Sequence, residues 1–360
     1  MRDVSKVFQG LYQADKNFYE GKEHILKLWA HEVLRVFHDR LNTFEDRDKF
    51  KAHLNEQIEQ IFSMNYLEHC STNGQDTIFV DFMNEGMQVY EECQDYNKLR
   101  DTLNEKLNQY NAQPKLISMD LVLFKDAITH VAKIYRVLNL KRGHAFLVGV
   151  GGSGRHSLTR LAAFVPQIPM TVFQLEVTKG FNLKNFREFL KQMYEWAGFR
   201  GKDRLKSVFL FSDNDVVMES FLEDLQNMLN GGVVPNLYSS EDTAKLREEL
   251  RKPYKRDGGT TETPDALNDY FFNKVKDNLH LSICMSPLGK GFKDYCRMYP
   301  ALINNTTIDW FMKWPEDALS EVAQRFIGKM NLGKQLSDSL AKLCAYAHSN
   351  TTDYADLMKE

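Results

Sequence analysis

The segment Gly149 to Ser157, GVGGSGRHS, has the residue types and spacing of a loop that holds phosphate. Gly151, Gly152 and Gly154, with Ser153 between them, let backbone N–H groups turn inward on phosphate oxygens, and the N-terminus of a following helix adds about half a positive charge. Such a loop needs a strand entering and a helix leaving. Ala145 to Gly149 is the apolar run that enters, and Leu158, Leu161, Ala162 and Phe164 lie on the apolar side of the helix that leaves.

Registered on GxxxxGK[ST], Gly149 and Gly154 fit. The lysine position is Arg155, the hydroxyl position is His156, and Ser157 is displaced by one. Arginine keeps the charge and forks onto phosphate oxygens, but it is bulkier and planar where lysine is a compact point charge. Mg2+ requires hard oxygen ligands in near-octahedral geometry, and His156 offers a nitrogen. Any Mg2+ here would need Ser157, water or the nucleotide itself.

A second carboxylate site belongs at the end of a neighbouring strand. The run SVFLF, Ser207 to Phe211, leads into Ser212, Asp213, Asn214 and Asp215, which makes Asp213 the candidate for holding Mg2+ through water. The next position, where a hydrolysing site places a glutamate to orient the attacking water, is Asn214, an amide that cannot act as a base. Asp215 and Glu219 are the alternative carboxylates. The expectation is a site that binds nucleotide and hydrolyses it poorly.

Other chemistry-bearing residues carry less. His31-Glu32 lacks the second histidine of a zinc-protease motif, since Arg35 stands at that position. His69 beside Cys70 has no second pair at ligand spacing, and Glu91, Glu92 and Asp95 near Cys93 read as a solvated helix face. Trp29, Trp196, Trp310 and Trp314 sit among apolar residues and read as core rather than as stacking platforms.

The elements that must position the loop form an alternating pattern. Ala145 to Gly149, Met170 to Leu175, Ser207 to Phe211, His280 to Met285 and Thr306 to Trp310 are short apolar runs with helical segments between them. This predicts a parallel sheet flanked by helices. Phe186 to Trp196 and Ser220 to Leu229 read as crossover helices, and Thr263 caps another that begins at Pro264. Ser239 to Thr263 is polar enough to read as a surface insertion with a helix over Thr243 to Arg251.

Up to about Gln113 the pattern is helical without strands, with Leu26, Trp29, Val33, Val36 and Phe37 at helical spacing. The polar run NQYNAQP sets a boundary near Pro114, and a second falls near Trp314-Pro315. Ala318, Val322 and Phe326, then Leu336, Leu340 and Leu343, carry helical spacing to the end. The expected domains are therefore residues 1–114 (helical), 115–313 (α/β) and 314–360 (helical).

The 360 residues carry 46 Lys and Arg against 49 Asp and Glu, a net charge of -3, which gives no electrostatic reason to expect nucleic acid or an acidic membrane as partner. Five scattered cysteines without a CxxC pair read as free thiols. No stretch approaches the roughly 18 apolar residues of a membrane span. The charged, helical ending DLMKE suggests a piece of something larger.

Several long stretches also resemble a known family. LVLFKDAITHVAKIYRVL (Leu121 to Leu138), RGHAFLVGVGGSGRHSLTRLAAF (Arg142 to Phe164), SFLEDLQNMLNGGVVPNLY (Ser220 to Tyr238) and CMSPLGKGFKDYCRMYPALINNTTIDWF (Cys284 to Phe311) resemble the fourth AAA+ module of axonemal dynein heavy chains. LKLWAHEVLRVFHDRL (Leu26 to Leu41) is similar to the small helical domain that closes the third module, and AYAHSNTTDYADL (Ala345 to Leu357) resembles the approach to the stalk.

The resemblance implies a P-loop AAA+ sheet with helical N- and C-terminal parts. It also implies ATP or ADP as ligand, a regulatory role beside neighbouring AAA+ modules, and microtubule contact only through a stalk outside these residues. It places the phosphate grip at Gly152, Gly154 and Arg155, the Walker B acid at Asp213, and the adenine pocket near Leu121 and Val122. Arg297 takes the place of a charge facing the neighbouring module's nucleotide. Met285 and Ser286 stand where the family carries a polar sensor.

Overall fold

The computed structural model describes residues 2–15, 17, 21–72, 75–83, 88–93, 95–288, 290–330 and 332–357. They pack as two compact units, residues 1–96 with 131–311 and residues 97–130 with 312–360.

The first unit is built on five strands: β1 (Ala145–Gly149), β2 (Thr171–Gln174), β3 (Ser207–Ser212), β4 (Leu279–Met285) and β5 (Thr307–Phe311). All pair in parallel, in the order β2-β3-β4-β1-β5. Each coincides with one of the five apolar runs, to within a residue or two at its ends. The inner strands β1, β3 and β4 are buried along their whole length, which is why they read as continuous rather than alternating apolar runs. Because β1 lies between β4 and β5 while the chain leaves it for the far edge at β2, the carboxyl ends of β1, β3 and β4 border a crevice of the kind in which open α/β sheets bind ligands.

The helices follow local signals. Thr263 accepts a hydrogen bond from the Ala266 amide and Pro264 occupies the first turn of Pro264–Asn278. Asn182 caps Leu183–Glu195 with a reciprocal box to Asn185. The polar segment after Ser239 is less peripheral than its composition suggests. Its helix runs Ser240–Arg256, and Leu246 and Leu250 reach the core that also holds Phe271, Phe209 and Phe221. Two apolar residues one turn apart suffice to anchor an otherwise charged helix, and a composition average hides them.

In the N-terminal part, helix α1 (Lys22–Val33) continues through a π-helical turn, Leu34–His38. Leu26, Ala30, Val33, Leu34 and Val36 pack with Leu54 and Ile58, while Trp29 and Phe37 lie half-buried at the margin. Two short antiparallel pairs, Ser71–Thr72 with Gln75–Asp76 and Ile78–Val80 with Glu91–Cys93, stand where no strand was expected. Strands of two or three residues are too short to show an alternating pattern.

A buried charge cluster joins these N-terminal elements to the sheet layer. Glu32 on α1 accepts hydrogen bonds from Arg136 of helix α2 (Lys125–Asn139), Nε to Oε1 at 3.2 Å, and from the Tyr90 hydroxyl at 2.7 Å. Asp39 lies 2.9 Å from the Arg35 guanidinium and 3.1 Å from Lys133 Nζ, which is itself 3.4 Å from Asp309 on β5. Burial alone would raise the Asp39 carboxyl, but Arg35 and Lys133 hold it well below the ordinary carboxylate range. The His31-Glu32 and Arg35 positions thus belong to a structural ion network. His69 lies 3.7 Å from Glu23, a helix-surface contact.

The second unit is helical. Glu316–Gly328 packs on Lys334–Leu357, the Asn111 side chain bonds both the N–H and the C=O of Met119, and Trp314 packs on Phe124 with ring centroids 4.9 Å apart. Helical spacing over Phe326, Leu336 and Leu343 is realised, yet these three side chains are exposed. Cys70, Cys284, Cys296 and Cys344 are free thiols, and Cys93 Sγ donates to the Asp95 carbonyl at 3.3 Å. Among the described residues no helix is long and apolar enough to cross a membrane.

Candidate functional site

Strand β1 delivers the loop. Gly149 lies opposite Phe311 of β5, so close that a Cβ on Gly149 would sit 2.6 Å from Phe311 Cβ. Gly152 and Gly154 have φ of 81° and 85°, the left-handed region that an L side chain enters at a cost. The Ser153 amide bonds the Val150 carbonyl at 3.3 Å to close the turn. Helix α3 (Arg155–Phe164) starts immediately after Gly154, and no side chain caps it. Its first amides therefore face the loop with their partial positive charge.

Arg155 is 9% exposed. One guanidinium nitrogen, Nη2, lies 3.4 Å from the Val150 carbonyl, while Nη1 is buried without a partner, and so is Ser153 Oγ, tucked beside Gly149. A buried N–H or O–H without an acceptor is costly, and an oxygen acceptor brought to the loop would relieve that cost. One turn on, Thr159 Oγ donates to the Arg155 carbonyl at 2.8 Å and lies 3.2 Å from Ser282 Oγ of β4, bolting α3 to the sheet.

His156 is half-buried. Burial lowers its pKa most, Arg160 and Arg155 lower it further, and Asp215 and Asp213 oppose them. These five ionisable side chains therefore share one electrostatic environment at the carboxyl ends of β1 and β3. Arg160 did not stand out in the sequence, although its position four residues after His156 places it on the same helical face. Its guanidinium is held by the Gln174 side chain at the end of β2.

At the end of β3 the three candidate positions diverge. Asp213 Oδ2 accepts the Ser286 amide at 2.9 Å, which brings the residue after β4 to the acid. Asn214 is exposed. Asp215 is buried and turned back on its own strand end, accepting from Ser212 N at 2.7 Å and Ser212 Oγ at 2.8 Å. Glu219 is exposed. Cys284, beneath the site on β4, is pushed up to about 12 by burial and stays a thiol.

The donor set fits Mg2+ poorly. His156 presents nitrogen at the position that would need a hydroxyl, and Ser157 lies about 100° further round α3. Asp213 already accepts an amide and Asp215 two donors. Among the described residues no group of three or more His, Cys, Asp and Glu is arranged to hold a metal ion.

The structure brings together Gly149, Gly151, Gly152, Ser153, Gly154, Arg155, His156, Ser157 and Asp213. Leu121 and Val122 belong to the second unit, half-buried in the extended stretch before α2. Arg297 is exposed on helix Lys290–Met298 and lines, with Asn42, Phe292, Cys296 and Trp310, a separate cavity of about 380 Å3.

Comparison with known proteins agrees with this geometry. Residues 119–360 match the family described as the P-loop containing dynein motor region D4, and residues 1–47 match the dynein heavy chain ATPase lid domain. The chain is 42% identical over 353 residues to the dynein-1-beta heavy chain of the flagellar inner arm I1 complex of Chlamydomonas reinhardtii, covering 97% of this chain and 8% of that protein. It is 39% identical over 360 residues to dynein axonemal heavy chain 2 of Mus musculus, covering 99% of this chain and 8% of the relative. With dynein axonemal heavy chain 6 of Homo sapiens the identity is 38% over 363 residues, again 99% and 8%.

Proposed function

Because this chain belongs to the dynein heavy chain family, matching its P-loop motor region D4 over residues 119–360, we propose that it is the fourth AAA+ module of an axonemal dynein motor, binding ATP or ADP in a regulatory role with little or no hydrolysis of its own. The chain spans 8% of the length of the relatives it matches, so the motor's work belongs to the larger protein. In this reading the partners are neighbouring AAA+ modules. The microtubule is met only through a stalk outside these residues, and the place of action is the cytoskeleton of a cilium or flagellum.

The observation that carries the reading is the chemistry at the end of β3. A hydrolysing site needs a carboxylate poised for the attacking water next to the acid. Here the next residue is the amide of Asn214, and the carboxylate after that is spent on Ser212. Phosphate recognition, by contrast, has its glycine turns, its uncapped helix start and its buried guanidinium. Residues 1–114 would be the small domain of the preceding module, 115–313 the large domain and 314–360 the start of the next small domain. Leu121 and Val122 would serve the adenine, and Arg297 would face a neighbour's nucleotide.

The test is a pair of measurements on the purified chain. Calorimetric titration is expected to show saturable ADP or ATP binding, and a steady-state phosphate-release assay to show no turnover above background. Sustained turnover abolished by Asp213→Ala would make this module an active ATPase. Absence of binding, with melting unchanged at high nucleotide, would make it a spacer.

A further inference from the structure

We propose that the cradle takes its nucleotide diphosphate without a divalent cation, Arg155 standing in for the metal as the group that neutralises the phosphates. The inference rests on the nucleotide-binding reading above and concerns what that site recognises.

Three observations carry it. The first is the side chain at the position after Arg155. In loops of this pattern a hydroxyl there is the protein's own ligand to a magnesium ion beside the phosphates, and the imidazole of His156 supplies a softer nitrogen in a position flanked by Arg155 and Arg160. The two guanidinium groups offset the attraction that Asp213 and Asp215 would exert on a cation there.

The second is the state of the carboxylates. In a metal-loaded cradle the acid at the strand end holds the ion's water shell. Asp213 instead accepts the Ser286 amide at 2.9 Å, and Asp215 accepts both the amide and the hydroxyl of Ser212. One oxygen of each, Oδ2, thus serves the protein's own strand ends and is withdrawn from the water shell of an ion.

The third is the unmet demand for an anion. Arg155 is nine-tenths buried at the start of α3, with Nη1 lacking any partner, and the buried Ser153 Oγ lacks one as well. A metal–nucleotide complex delivers its phosphates with much of their charge already cancelled. The free diphosphate keeps that charge and offers more oxygens to a planar fork of N–H donors and to the open amides after Gly154. The cradle is short of acceptors and rich in donors, which is the complement of a bare diphosphate.

The experiment is a calorimetric titration of the 360-residue chain with ADP, once in millimolar magnesium and once in excess EDTA. The expected result is a Kd that differs by less than about threefold between the two buffers, whereas a loss of about tenfold or more in EDTA would overturn the inference. The double replacement Arg155→Lys with His156→Thr is expected to bind ADP about tenfold tighter in magnesium than in EDTA. A double variant as indifferent to magnesium as the parent would show that these two residues do not decide the matter, and would also overturn it. Thermal melts establish that the variant is folded, and His156→Thr alone is a milder second variant expected to move in the same direction. No ADP binding in either buffer would defeat the nucleotide reading itself, an outcome distinct from binding in magnesium alone.

Discussion

The backbone N–H of Ser286 donates to Asp213 Oδ2 at 2.9 Å, so the acid at the end of β3 is held by the residue that follows β4. The bond ties the two strand ends together and occupies one of the carboxylate's oxygens. It explains how Asp213 is positioned in a site whose next residue, Asn214, cannot serve as a base.

If hydrolysis is limited by that base, supplying one should reveal it. Asn214→Glu is expected to raise steady-state phosphate release above the parent's background, and Asp213→Ala to leave that background where it is. Asp213→Ala should also cost about 1.5–3 kcal/mol of stability, because a charged acceptor for the half-buried Ser286 amide is lost. Urea unfolding and a phosphate sensor read the two effects separately. Strong turnover by the parent chain would contradict this account.

The Glu32–Arg136 pair is wholly buried, with the Tyr90 hydroxyl on the same carboxylate. Arg136→Ala is expected to cost about 3–5 kcal/mol, since it strands a buried charge. Replacing both residues by apolar ones, Glu32→Leu with Arg136→Met, should cost much less. Gly10 packs against the same carboxylate, where a Cβ would overlap it, so Gly10→Ala is expected to destabilise by about 1–3 kcal/mol. Chemical denaturation midpoints decide all three.

Gly154 has open space around its Cβ position apart from ordinary contact with Leu158, so the effect of Gly154→Ala comes from its φ of 85°. The expected stability loss is about 1–2 kcal/mol. ADP binding should weaken as well, because relieving the strain would rotate the amides that open α3. An unchanged Kd would mean that the loop's shape is not what binds.

Three histidines with lowered pKa, the buried His31 and His280 and the half-buried His144, set a pH dependence. Burial is the main cause that lowers His31 and His144 to about 3 and His280 to about 4 from an ordinary 6.5. Between pH 6.5 and about 4 the unfolded chain takes up protons that the folded chain refuses, so stability is full above pH 6.5 and falls as the pH drops through that window. Each unit of difference is worth about 1.4 kcal/mol. His144 Nδ1 accepts the Leu281 amide at 3.0 Å, an acceptor that an asparagine oxygen can replace. His144→Asn should therefore flatten the slope of urea midpoint against pH between 6.5 and 4.5, and an unaltered slope would assign the effect elsewhere.

The sheet was legible because its strands are buried on both faces and are separated by helix signals. The loop was legible because glycine is demanded at Gly152 and Gly154 by backbone sign. Other features leave no local trace. The pairing of Ile78–Val80 with Glu91–Cys93 depends on partners brought together across a loop. Leu246 and Leu250 are two apolar residues in a charged helix, and only the core they meet shows that they are inside. Glu32 and Arg136 are 104 residues apart, and neither position looks buried until both are seen. At the site, Asp215 looked like a spare carboxylate because its role as a cap for Ser212 depends on a turn three residues long.

Trp310 Nε1 donates to the Arg40 carbonyl at 3.0 Å, and the neighbouring Asp309 meets Lys133 of α2, which also meets Asp39, so β5 is tied to the N-terminal elements once directly and once through α2. β5 is also the direct partner of β1, which means that one inter-strand spacing, about 4.8 Å, separates that anchorage from the strand that carries the loop. Gly149 rests on Phe311 with no side chain between them to absorb a displacement. In mechanical terms this is a stiff linkage with almost no compliance. A load applied to the N-terminal elements would reach the loop after β1 as strain in its backbone.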